Sequence, residues 1–288
     1  MRLRGRAAII TGASQGLGKA IAASFLREGA SVLLTARDGA LLAKTGQELA
    51  GERRDNQQQV LVEAMDVSRA EDVERTVARA TAELGGVDIL VCNAGVYGPM
   101  GAIETVDWST WVQAIHINLL GTVLCCRAIV PQMRQRGRGK IILLSGGGAT
   151  GPLPFISAYA ASKAAVVRFG ETLAHELDGS GVDVNAIAPG ALNTRLLQEV
   201  LAAGPGQVGE SFYQRSLRQK EEGGAPLSAG ADLATFLASD ESNGITGRII
   251  SAVWDDWRAL LTIRDRLQGS DVYTLRRIVP VDRGWEEP

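Results

Sequence analysis

The chain is poor in cysteine, histidine and aromatic residues, and its charges nearly cancel. Its three cysteines, Cys92, Cys125 and Cys126, are odd in number and include an adjacent pair. That argues against a disulfide framework and for a reducing compartment. The two histidines, His116 and His175, stand apart with no clustered cysteine or glutamate, so a metal site lacks ligands and none is expected. Both read as structural or surface residues, and Cys125 and Cys126 as small core residues. Thirty basic residues against 32 acidic ones leave a net charge of −2, which points to neither nucleic acid nor membrane as a partner. No apolar run approaches the roughly 20 residues that cross a bilayer. The segment Met1–Ile10 runs into a glycine motif rather than a cleavage site. The expected location is cytoplasmic.

What the chain does have is a rhythm. Short β-branched runs at Ala7–Thr11, Ser31–Thr35, Val60–Met65, Val87–Val91, Lys140–Leu144, Val182–Ile187 and Arg248–Val253 alternate with longer amphipathic stretches. Continuous apolar strands separated by helices predict an α/β fold: a doubly wound, seven-stranded parallel sheet with helices on both faces, Rossmann-like. Residues 1–254 are read as one catalytic domain. Two regions break the rhythm. Residues 192–230 hold Gly204-Pro-Gly and Gly223-Gly224 and read as a long mobile insertion lining a substrate site. Residues 255–288 form an extension too short for a domain. Its apolar residues predict an ordered tail over the substrate mouth or on a neighbouring subunit, the alternative being a cover for its own sheet edge. Trp108 and Trp111, opening the Asn118 helix, are expected to pack.

The first strand ends in Thr11-Gly-Ala-Ser-Gln-Gly-Leu-Gly18, and a helical pattern follows. Gly12 permits a tight turn, Gly16 leaves room for backbone to approach a pyrophosphate, and Gly18 lets helix and sheet pack closely. Ser14, Gln15 and Leu17 complete this candidate dinucleotide loop. At the end of the second strand Ala36 stands where an acidic residue would bind the ribose 2′-hydroxyl of NAD. Arg37 follows, and a guanidinium there suits a 2′-phosphate. NADP is the expected cofactor, with NAD the alternative, since Asp38 could partly neutralise Arg37.

Tyr159 and Lys163 are four residues apart and share a helix face. An ammonium beside a phenol favours the phenolate and is expected to lower its pKa toward the working range. With the glycine loop, the pair resembles the compact single-domain type of the short-chain dehydrogenase/reductase family. Asp66-Val67, Cys92-Asn-Ala-Gly95, Asn118, Pro189-Gly190 and Thr194 match further motifs in family order over roughly residues 5–252. The resemblance implies that Asp66 and Val67 border an adenine and that Asn93, Ala94 and Gly95 line the cofactor's path. It implies that Asn118 holds a water through its backbone in a proton relay from Lys163. Lys163 would also bind the nicotinamide ribose, and Pro189, Gly190 and Thr194 would seat the nicotinamide. It also implies a small-molecule substrate and a homodimer or homotetramer.

The chain departs from the family pattern at the catalytic serine, which usually lies thirteen residues before the tyrosine. Gly146 holds that place, and Ser145 is one residue earlier. Either the loop 146–156 carries an extra residue that restores register, or the serine role is weakened. The expected function is hydride transfer between NADP(H) and a secondary alcohol or ketone, with Tyr159 as acid/base, Ser145 polarising the oxygen and Lys163 tuning Tyr159. Two alternatives are a catalytically weakened dinucleotide-binding regulatory or scaffold protein, and a sugar-nucleotide epimerase. The glycine spacing and the lack of a separate substrate domain disfavour the epimerase.

Overall fold

The computed structural model describes residues 1–285; residues 286–288, the end of the expected tail, lie outside the described residues. Seven strands are present: β1 (Ala7–Thr11), β2 (Ser31–Ala36), β3 (Val60–Ala64), β4 (Ile89–Cys92), β5 (Gly139–Leu144), β6 (Val182–Ala188) and β7 (Arg248–Ser251). They form one sheet in the order β3-β2-β1-β4-β5-β6-β7, and every pairing is parallel. The strand order reverses between β1 and β4, which opens a crevice at the carboxyl ends of the strands.

Side chains alternate across the sheet, as period two requires. Ile9, Leu33, Leu90, Ile141 and Leu143 pack against α3 (Ala70–Leu84), α5 (Gly121–Arg136) and α6 (Ser157–Glu176). Ala8, Ile10, Leu34, Val91, Ile142 and Leu144 pack against α1 (Gly16–Arg27), α2 (Gly39–Leu49) and α10 (Leu227–Ala238). The central strands β1, β4 and β5 are buried on both faces, which is why they read as nearly unbroken apolar runs.

Three features differ from the sequence reading. First, α4 (Trp108–Ile115) continues through a π turn, His116–Leu120, into α5. The joined run, Trp108–Arg136, is long and apolar enough to cross a membrane by length and composition. Ala114, Ile117, Cys125, Cys126, Ile129 and Met133 bury one side of it in the core, and Arg127, Arg134 and Arg136 interrupt it. It is built as a core helix. At its start, Trp108 does not bury: it is 68% exposed and stacks on Trp111 at 5.2 Å. Trp111 Nε1 donates to Ser157 Oγ at 3.1 Å and ties α4 to α6.

Second, residues 192–230 are not a structureless insertion. They hold α7 (Arg195–Ala203), α8 (Pro205–Val208), α9 (Glu210–Glu222) and the start of α10. Two of the glycines that suggested a loop, Gly204 and Gly223, are joints at helix ends, as is Gly209, and all three have positive φ.

Third, the extension beyond 254 mainly wraps the sheet edge of its own subunit, the alternative reading, while Asp255 and Tyr273 also reach the expected substrate mouth. Trp257, Leu260 and Leu267, from the segment around α11 (Leu260–Leu267), are buried in the core on the α1 and α10 face. The chain then crosses β7, where Ile249 N donates to Tyr273 O at 2.8 Å. Leu275 lands on the opposite face, and its N–H donates to Glu171 Oε1 on α6 at 2.6 Å. Arg248 pins the crossing by donating to the carbonyls of Ser270 at 2.8 Å, Val272 at 2.7 Å and Leu267. An edge strand needs such cover, because its free N–H and C=O groups otherwise template pairing with another chain.

Candidate active site

The crevice at the β1/β4 reversal is a cleft of about 1260 Å³. The glycine loop forms one wall. Gly12 has φ +64°, and a β-carbon there would lie 2.8 Å from Ala94 Cα. Asn93 Nδ2 donates to Thr11 O at 2.9 Å and Gly12 O at 3.0 Å, while Asn93 N and Ala94 N both donate to Thr11 Oγ1 at 3.0 Å. A β-carbon on Gly18 would lie 2.6 Å from Gly12 O. The loop is thus clamped onto the end of β4 at a distance only glycine allows. Gln15 begins α1 with no side-chain cap, so the first helical N–H groups are free to meet an anion. Ser14 O accepts from Thr45 Oγ1 at 2.7 Å, which ties the loop to α2, and Gly16 faces Thr194 across the cleft. Ser14, Gln15, Gly16 and Leu17 all line the cleft. These features fit a dinucleotide's phosphates.

Arg37 and Asp38 stand at the outer end. The carboxylate of Asp38 accepts from Leu41 N at 3.0 Å and caps α2. Arg37 is exposed and makes no ion pair among the described residues. Asp66 and Val67 lie on the same wall, and Asp66 Oδ1 accepts from Ser68 N at 3.0 Å and Ser68 Oγ at 2.7 Å.

At the inner end α6 presents Tyr159 and Lys163, both buried. Lys163 Nζ donates to Leu144 O at 2.7 Å and lies 5.6 Å from the centroid of the Tyr159 ring. Burial lowers the Lys163 ammonium to about 8, partly opposed by Cys92. The expected lowering of Tyr159 is not found. Burial pushes its hydroxyl well above the usual phenol range, and nearby Tyr97 adds to the rise. Helical spacing put the two side chains on one face, but Lys163 directs an N–H at the Leu144 carbonyl, and desolvation of the phenolate is the leading cause of the rise.

Asn118 sits in the π turn, a distortion often found at functional sites. Its Oδ1 accepts from Val96 N at 2.9 Å, and Nδ2 donates to Val96 O at 2.8 Å and Ser162 Oγ at 2.9 Å. Its main-chain carbonyl, expected to hold a water, accepts from Thr122 Oγ1 at 2.8 Å. A β-carbon on Gly95 would lie 3.3 Å from Asn118 Oδ1 and 3.6 Å from Lys163 Nζ, so these three residues converge. Pro189, Gly190 and Thr194 follow β6 and line the opposite wall.

The serine question has a geometric answer. The residue against the Tyr159 hydroxyl is Gly146, where any β-carbon would collide with that oxygen. Ser145, the preceding residue, lines the same cleft. Ser145 Oγ is buried and bonds to nothing among the described residues.

Several residues in the cleft were not singled out from sequence. Tyr97 follows the Asn93–Gly95 turn, and its ring meets Tyr159 edge-on at 4.7 Å. Ser162 and the Leu144 carbonyl hold Asn118 and Lys163. Only the adjacency of Tyr97 to the Asn93–Gly95 motif carried any signal. By contrast, Trp254, Asp255 and Tyr273 bring the extension into the mouth, where its apolar residues were expected.

A family model described as short chain dehydrogenase matches residues 6–204. The chain belongs to the short-chain dehydrogenase/reductase family. It is 34% identical over 248 residues to "Dehydrogenase/reductase SDR family member 4" of Sus scrofa, covering 86% of each chain. It is 34% identical over 245 residues to "2-dehydro-3-deoxy-L-rhamnonate dehydrogenase (NAD(+))" of a Sphingomonas species, covering 85% of this chain and 92% of that one. Among solved structures it is similar to levodione reductase, with a TM-score of 0.79 at 27% identity, over 87% of this chain and 96% of that one. The family consists of oxidoreductases that bind a nicotinamide dinucleotide and act on small molecules.

Proposed function

We propose that this protein is an NADP(H)-preferring oxidoreductase that interconverts a small-molecule ketone and its secondary alcohol, with Tyr159 as the acid–base group. The observation that carries the reading is the convergence of the glycine loop, Tyr159 and Lys163 on one cleft. The uncapped start of α1 and the loop from Gly12 to Gly18 would hold the pyrophosphate. Asp66 and Val67 would border the adenine, and Asn93 to Gly95 would line the path inward. Pro189, Gly190 and Thr194 would seat the nicotinamide, which when bound supplies or accepts the hydride. Lys163 would hold the nicotinamide ribose with whichever of its N–H groups the Leu144 carbonyl leaves free.

Tyr159 is held neutral by burial. A neutral phenol is a proton donor, so the site is poised to protonate the oxygen of a ketone as its carbon is reduced. Asn118 acts as a positioning residue, since its amide grips both the Val96 backbone and Ser162. The NADP preference is supported by Arg37, whose guanidinium makes no ion pair among the described residues while Asp38 caps α2. The NAD reading is favoured by the name of the Sphingomonas relative. The weakened-scaffold reading is favoured by Gly146 alone. Assembly as a homodimer or homotetramer in the cytoplasm belongs to the same proposal, supported by the exposed apolar side chains Trp108, Val272 and Ile278.

Tyr159→Phe tests the reading. Turnover of a ketone panel with NADPH should fall by about 10²–10⁴-fold with dinucleotide affinity nearly unchanged, because only the transferable proton is lost. A variant that keeps a tenth of the wild-type rate removes Tyr159 from this role. A wild type that binds NADPH and turns over nothing is the scaffold protein.

A further inference from the structure

A ketone oxygen that becomes an alkoxide needs more than one donor. One hydroxyl gives up its proton; a second, fixed donor stabilises the growing charge, and preorganised donors of this kind contribute heavily to catalysis. Tyr159 accounts for the first. Gly146 has no donor side chain to be the second, and it has no room for one beside the Tyr159 hydroxyl. Ser145, one residue earlier, lines the same cleft with a buried, unpartnered Oγ and is the rival donor.

A second phenol packs against Tyr159. Tyr97 lines the cleft, and its ring packs edge-on against the Tyr159 ring, with centroids 4.7 Å apart and planes at 66°. Asn118, bonded to both the N–H and the C=O of Val96, fixes the backbone immediately before Tyr97. Both tyrosines line the cleft.

We propose that Tyr97 is the second catalytic hydroxyl, donating a hydrogen bond to the same substrate oxygen that Tyr159 protonates, in place of the serine that Gly146 replaces. This rests on the reading of Tyr159 as proton donor. In the reducing direction the hydride adds to the carbonyl carbon, the C=O π pair moves onto oxygen, and that oxygen takes the Tyr159 proton. Tyr97 keeps its own proton throughout. Burial, with Glu199 adding to it, raises the Tyr97 hydroxyl to about 12, so it remains a donor wherever the enzyme works.

Tyr97→Phe preserves the ring and removes the hydroxyl. The full chain is assayed with NADPH and NADH against acetophenone, 2,3-butanedione and cyclohexanone. The expected result is a kcat loss of about 10²–10³-fold, the usual cost of removing one such donor. Dinucleotide affinity and melting temperature should stay at wild-type values. A second measurement needs no turnover. Isobutyramide, a carbonyl that cannot be reduced, is titrated into the enzyme–dinucleotide complex and should bind the variant about ten times more weakly. Full activity and full isobutyramide affinity in Tyr97→Phe overturn the proposal, the more so if Ser145→Ala loses a hundredfold. A loss matched by weaker dinucleotide binding or a lower melting temperature also overturns it, since the role is then structural. A full rate in Tyr159→Phe, or a wild type that binds no dinucleotide, is instead the failure of the oxidoreductase reading and takes this proposal with it.

Discussion

Two tryptophans three residues apart, Trp254 and Trp257, test what the C-terminal extension is for. Trp257 is 6% exposed, packs on Phe236 at 5.3 Å between ring centroids, and carries the Arg258 guanidinium 4.0 Å above its ring. Trp254 is 83% exposed and lines the cleft mouth. Replacing a buried tryptophan by alanine costs about 3–5 kcal/mol, because transferred area and a residual cavity both count. At roughly 2–4 °C per kcal/mol for a domain approaching this size, Trp257→Ala should lower the melting temperature by roughly 6–20 °C. Trp254→Ala should stay within about 0.5 kcal/mol of wild type and should change KM for substrate instead. Thermal unfolding by circular dichroism at fixed protein concentration separates the two, and steady-state kinetics at a temperature where both variants are folded completes the test. Equal melting temperatures for Trp257→Ala and wild type would show that the extension is an appendage and not part of the core.

Other outcomes follow from the site. Arg37→Ala should weaken NADPH but not NADH by about 1.5–3 kcal/mol, a charge-assisted contact to phosphate, and equal wild-type affinities for both cofactors would sink the NADP assignment. Lys163 carries its charge below pH about 8 and loses it above. If the ammonium holds the ribose, kcat/KM for reduction should fall tenfold per pH unit above about 8, and a flat profile to pH 10 would refute the role. Gly146→Ala should displace the Tyr159 hydroxyl, lowering kcat by about 10²-fold through misplacement while dinucleotide affinity holds; an unchanged kcat would mean that Tyr159 tolerates the shift.

The strands were legible because the central ones are buried on both faces, and apolar runs and strands coincide to within two residues. The exceptions have polar causes. β4 begins at Ile89 and not Val87, because the Asp88 carboxylate accepts from Ala7 N and from the Arg136 guanidinium. β7 stops at Ser251 and not Val253, because the Asp255 carboxylate takes Ser251 N at 2.7 Å, and Ser251 Oγ takes Val253 N and Trp254 N, which turns the chain. The glycine loop and the Tyr159–Lys163 pair were legible as spacing, and spacing located them on one cleft. Spacing carries no information on burial, so the pKa of Tyr159 went the other way. Tyr97 was invisible because its position depends on the Asn118 amide holding Val96, a contact between residues 22 apart through a π turn that no local pattern marks.

The cleft has a floor built on the sheet and a mouth built on helices and the extension. Its floor comes from the carboxyl ends of β1, β4, β5 and β6, whose positions are set by the parallel ladder, so the glycine loop, Gly95, Gly146 and Gly190 cannot move independently. Its mouth comes from α7, α9 and the extension, through Leu197, Phe212, Ser216, Trp254 and Tyr273. The family match ends at residue 204, at the close of α7, so most of the mouth lies beyond the matched residues. On the proposed function, dinucleotide binding would rest largely on the floor and substrate choice largely on the mouth. Substitution at Phe212 or Trp254 should change which ketones are accepted and leave dinucleotide affinity alone. Arg37→Ala should do the reverse. Gly146 is the departure that falls within the floor, where it bears on chemistry common to every substrate. Tyr97, which follows β4 on the same floor, is the residue proposed to supply the missing donor.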